Sequence, residues 1–117
     1  MFEAENIRDW RGLNVVDPDN HKIGTLEAIY VDTGTDVPSF ATVVTGIIGR
    51  HKLTFVPLMG AKVAPDHLRV AYDRGQVKDA FSIDTDGELL ATDEPKVFEH
   101  YGLPYTEGIS ERRLARR

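Results

Sequence analysis

Cysteine is absent from the 117 residues, which removes disulfides, thiolate nucleophiles and thiolate metal ligands together and fits a reducing compartment. Long apolar runs are missing too, since no stretch approaches the roughly 20 consecutive apolar residues that cross a bilayer. The opening residues, Met1, Phe2, Glu3, Ala4 and Glu5 followed by Arg8 and Asp9, carry neither the basic start nor the apolar run of a secretory signal. These absences predict a cytoplasmic protein without membrane insertion. Positive charge is scarce through most of the chain. Residues 1–106 hold ten Lys or Arg against seventeen Asp or Glu, whereas residues 107–117 hold four Arg against two Glu. An acidic body repels phosphate backbones, so nucleic-acid contact is confined to the C-terminal tail.

What is present is the composition of one small domain, with 41% apolar residues in a length typical of a single core. Extended runs dominate it. Leu13, Val15 and Val16 lead into Asp17-Pro18-Asp19-Asn20, where the fixed φ of proline and the local hydrogen bonding of Asp and Asn predict a turn between strands. A strand over residues 22–32 places Leu26, Ala28 and Tyr30 on one face and Ile29 and Val31 on the other. Apolar character on both faces suits a curved sheet whose second face meets a flanking segment or a partner, which makes Ile29 and Val31 candidate interaction residues. Residues 40–48 and 53–58 read as an antiparallel hairpin, with Pro57 at a strand end or edge. A further strand is expected over residues 67–72 and a short helical or bent segment over 76–80. The clearest helix comes late. Thr92 or Asp93 caps it, Pro95 sits in its first turn, Val97, Phe98 and Tyr101 form its apolar stripe, and Gly102 with Pro104 stops it.

Few residues form a chemical constellation. His21, His51, His67 and His100 have no zinc-ligand spacing. Asp17, Asp19 and Asn20, and again Asp84, Asp86 and Glu88 around Gly87, gather oxygens that calcium favours, yet neither group completes an EF-hand loop. Ser39, Ser82 and Ser110 lack a nucleophile-elbow context, and Gly46, Gly49 and Gly60 do not make a phosphate-binding loop. Tyr30, Phe40, Phe55 and Tyr72 are interleaved with Val, Ile and Leu, as core residues are, rather than with the basic groove of a base-stacking platform. No enzyme, cofactor or metal site is expected. The best local clue is the tail, where Arg112, Arg113, Arg116 and Arg117 form a charged patch able to pair with carboxylates or phosphate. Two apolar anchors, Ile109 and Leu114, do not hold a lone helix, so this tail is expected to be flexible in isolation.

The order of these segments resembles the PRC-barrel domain family. Gly12-Leu13-Asn14-Val15-Val16-Asp17, Lys22-Ile23-Gly24-Thr25-Leu26 and Tyr30-Val31-Asp32 are similar to the opening of such domains. Phe55-Val56-Pro57-Leu58 resembles a later strand ending in Val-Pro, and Val70-Ala71-Tyr72 with Val77-Lys78-Asp79-Ala80 resembles the closing strand and exit. Phe81 stands where many members have proline. The resemblance covers residues 11–80, and residues 94–102 look like the helical appendix of free-standing bacterial members. It implies a mainly β fold, a small and predominantly antiparallel β-barrel with a short C-terminal helical appendix. Residues 1–10 would be an N-terminal arm, 81–106 a packed extension with a short helix, and 107–117 the Arg-rich tail. It also implies a non-catalytic structural or adaptor domain that binds protein, and the apolar content of both sheet faces adds self-association, as a homodimer, to what is expected of it. A small-ligand or metal-ion responsive module is the alternative, ahead of an RNA-associated factor.

Overall fold

The computed structural model describes residues 10–46, 49–105 and 114–116. Where β-branched and aromatic residues cluster, the chain is extended. β1 (Asn14–Val16) turns through Asp17 into β2 (Lys22–Asp32); β3 (Pro38–Thr45) returns along β2, and β4 (Lys52–Pro57) along β3. β5 (Lys62–Val63) and β6 (His67–Arg69) form a minimal hairpin, and α1 (Arg74–Lys78) separates them from β7 (Ser82–Asp84). A 3-10 turn (Ala91–Asp93) enters α2 (Glu94–His100), and β8 (Leu114–Arg116) is the last described element.

The eight strands of the described residues share one sheet, in the order β5-β6-β1-β2-β3-β4-β7, with β8 also paired to β2. Every pairing is antiparallel except that of β1 with β6. β2 organises the whole. Its start pairs with β1 through Lys22–Thr25, its last three residues pair with β8, and its opposite edge runs along β3. The Asp17 turn forms as expected, with Asn20 adopting the positive φ of 67° that this residue type tolerates.

The expected closed barrel is corrected by this topology. β5 and β7, at the two ends of the strand order, do not pair, so the sheet stays open. Those strands have two and three residues, too few to carry the staggered ladder that closure requires. Helices complete the core instead. α1 packs against β2 and β4 with Val77 fully buried, and α2 adds Val97 and Tyr101 to the same cluster. Over the described residues the fold is therefore mixed, a mainly antiparallel open sheet with two short α-helices.

α2 begins as its sequence indicates, with Pro95 in the first turn, although Asp93 makes no side-chain cap hydrogen bond. Its end is held by amides of Tyr101 and Leu103 on the Phe98 carbonyl, with Gly102 at φ 69°. One of the core's internal polar bonds belongs to this region. Tyr101 donates to the Phe55 carbonyl at 2.6 Å, and burial raises its phenol pKa, aided by neighbouring Tyr72.

Candidate interaction site

An apolar groove opens where β3 begins, β4 ends and α2 crosses over them. The ladder pairs Phe40 with Pro57, and the Leu58 amide donates to the Ser39 carbonyl at 2.9 Å, which brings the two strand ends side by side. A tight turn follows, with Ala61 bonding back to Leu58 and Gly60 at φ 78°. Phe98 of α2 packs edge-on against Phe40 at 5.0 Å, and the chain leaving the helix adds Leu103 and Pro104. The result is a cavity of about 640 Å³.

Its chemistry is narrow. The described lining holds no ionisable side chain, and Pro38 and Pro57 supply no backbone N–H. At the rim, Val37 is 56% exposed and Met59 66% exposed. Exposed apolar groups beside a concave apolar wall are the features of a binding surface. Sequence reasoning missed this site because its walls come from segments as far apart in the chain as Val37 and Pro104, and Met59 lies in a stretch too interrupted to assign.

The interaction residues proposed from the sequence fall elsewhere. Ile29 and Val31 are each 1% exposed and belong to the core, so the second face of β2 meets the chain's own elements and offers no open surface. Arg112, Arg113 and Arg117 lie outside the described residues. Arg116 is described, and the structure brings it to the same place as Val31. β8 lies antiparallel on the end of β2, pairing Tyr30 with Arg116, Val31 with Ala115 and Asp32 with Leu114. For Leu114–Arg116 the expectation of a flexible tail gives way to an ordered strand, because three further contacts hold it.

Those contacts are specific. Leu114 is fully buried, and its amide donates to Oε2 of Glu94 at 3.1 Å. Glu94, also fully buried, accepts from the Tyr105 hydroxyl at 3.0 Å through its other oxygen. Arg116 pairs with Glu27, whose second oxygen accepts from Thr42 at 2.7 Å. A carboxylate taken from water must be compensated by donors, and here part of that compensation comes from β8.

The acidic and histidine residues serve turns. Among the described residues Asp17, Asp19 and His21 come together, rather than the group around Gly87. Asp17 is already engaged. Its Oδ1 accepts from the amides of Asp19 and His21, both at 2.9 Å, and its Oδ2 accepts from the Arg74 amide at 3.1 Å and the His21 ring at 3.2 Å. This carboxylate staples the β1–β2 turn to the start of α1. His67 rests on Asp66, whose pKa is lowered by that hydrogen bond, and His100 donates to the Gln76 carbonyl at 2.7 Å.

Burial opposes ionisation of Asp17, but the bonds from His21, Arg74 and Asp19 outweigh it and hold the pKa at about 2, below its ordinary 3.8. The unfolded chain therefore takes up the proton first. Stability from this group is complete above pH 3.8 and is lost as pH falls towards 2. Asp17→Asn turns an amide NH₂ towards two donors. The variant is expected to melt below the parent at neutral pH, with the gap narrowing through that acid window. Thermal unfolding of both proteins against pH checks this, and a constant gap would assign the effect to shape rather than charge.

An open sheet that presents an apolar groove and an ordered terminal strand defines a binding module. The PRC-barrel domain family matches residues 2–77, which is well over half of the chain, and the protein belongs to that family. Domains of this family are generally non-catalytic modules of protein interaction. A search of curated proteins finds no match. Among the described residues no helix is long and apolar enough to cross a membrane.

Proposed function

We propose that this protein is a cytoplasmic adaptor domain that takes an apolar segment of a partner protein into its groove and also self-associates. The supporting observation is the groove between β3, β4 and α2 with Val37 and Met59 exposed at its rim. An uncharged wall without free backbone donors at its prolines suits aliphatic or aromatic side chains. It suits a metal ion or a phosphorylated metabolite poorly, since both need oxygen, nitrogen or positively charged ligands.

The test is selection of binding peptides from a random library, followed by titration against the parent and against Met59→Asp. Met59 is exposed, so the substitution should leave stability within about 0.5 kcal/mol. Apolar peptides should be enriched, and their affinity should fall at least about tenfold when the rim carries a charge, a loss of roughly 1.4 kcal/mol. Equal binding to both proteins would remove the groove from the account. Enrichment of small hydrophobic compounds without any peptide would favour the small-ligand reading.

A further inference from the structure

We propose that β8 is an exchangeable strand, and that the slot it fills takes the Leu114–Arg116 segment of a second copy of the chain. The inference rests on the self-association part of the reading above and gives it a structure.

The slot is built to hold a strand. The β1 side of the β2 edge is paired as far as Leu26, which bonds to Gly12 and Leu13, and at Tyr30–Asp32 the backbone groups of that edge bond to β8. Beneath it lies the fully buried carboxylate of Glu94, facing the Leu114 amide. Withdrawing β8 without replacement would strip a donor from a buried charge and expose a strand edge, two costs that fall together. The slot is therefore occupied, and the open question is whose strand occupies it. Main-chain pairing, a leucine-sized pocket, an N–H aimed at Glu94 and a cation opposite Glu27 define the occupant. This chain's own terminus carries that set.

Nothing in these contacts distinguishes one copy from another. β8 follows residues 106–113, and the nine chain steps from Tyr105 to Leu114 can span at most roughly 32 Å. Reciprocal exchange reproduces every contact twice, so the balance between the closed monomer and the exchanged dimer is set by concentration and by the connecting segment. Neutralising the Arg116–Glu27 pair weakens the acceptance of either strand.

The absence of cysteine gives a clean test. Val31 and Ala115 are ladder partners, and Cα atoms of such pairs lie about 4.5–5.5 Å apart, within disulfide range. Full-length Val31→Cys and Ala115→Cys proteins are mixed at a concentration where the parent sediments as a dimer, oxidised and resolved without reductant. A covalent heterodimer joined through positions 31 and 115 is expected. If the doubly substituted chain closes only on itself while the mixture stays uncrosslinked, exchange is overturned. Parent dimers by sedimentation in that case would leave self-association standing through another surface. A parent that is monomeric throughout would overturn both.

A second pair spares the apolar core, and Thr42, which loses its Glu27 acceptor, keeps the Ala28 carbonyl as a partner. Glu27→Arg and Arg116→Glu lie at the partly exposed end of the contact. Each variant alone should dimerise at least about tenfold more weakly, and mixing them should restore a heterodimer, because reciprocal exchange between the two variants sets opposite charges against each other in both slots. Failure of the mixture to associate better than either variant alone would overturn the exchange.

Discussion

Substituting alanine at Gly24 is expected to destabilise the protein by about 3 kcal/mol or more. A Cβ on Gly24 would lie 2.0 Å from the Val44 carbonyl oxygen and 2.8 Å from Cγ1 of Val43. The first obstacle is backbone of the neighbouring strand, which can retreat only by breaking the β2–β3 ladder at Thr25 and Val44. Small domains hold only about 5–15 kcal/mol in total, so this one methyl group removes a large fraction of it. Gly12 provides the comparison. Its φ is +89° but an added Cβ meets nothing within 4 Å, so Gly12→Ala should cost only the roughly 1–2 kcal/mol of a left-handed backbone. Urea unfolding of both variants checks the order. Equal losses would mean that conformation, rather than the approach of β3, requires glycine at position 24.

This explains why the Lys22-Ile23-Gly24 step was legible in the sequence as part of a family pattern. The physical constraint is local and recorded by a residue without a side chain. β2 was equally legible over its full length, because no proline interrupts residues 23–31 and Ile, Thr, Tyr and Val recur through them. β3 starts at Pro38, two positions before the expected Phe40, since a proline that cannot donate can still open a strand. β6 ends at Arg69 instead of continuing to Tyr72, because the chain must turn at Asp73, whose side chain caps α1 through the Gln76 amide.

The failures are of another kind. Closure of a barrel depends on how far the edge strands extend and what packs between them, and neither β5 nor β7 announces its length in its composition. The groove is assembled from Val37, Met59, Phe98 and their neighbours, each unremarkable in its own segment. β8 was invisible for a sharper reason. Its anchor is Glu94, twenty positions away, and a glutamate in the first turn of a short helix reads as a solvated residue that favours the helix dipole. Burial turned it into the acceptor that orders the chain's end.

Glu94→Ala is accordingly expected to cost about 3 kcal/mol, the range for removing one partner from a buried charged contact. The Leu114 amide and the Tyr105 hydroxyl each lose an acceptor, and a cavity opens beneath β8. Glu94→Gln keeps one carbonyl oxygen but presents an NH₂ group where the carboxylate accepted, so it should fall between the parent and the alanine variant. Native-state hydrogen exchange locates the damage. Loss of protection at Leu114 and Ala115, with Thr42 and Val43 in β3 unchanged, would make β8 a cooperative unit separable from the sheet. That separability is what an exchangeable strand requires, because the sheet must survive the interval between losing one β8 and gaining another. Equal loss of protection in β3 and β8 would instead make Glu94 part of the common core, and the strand could then be exchanged only through global unfolding.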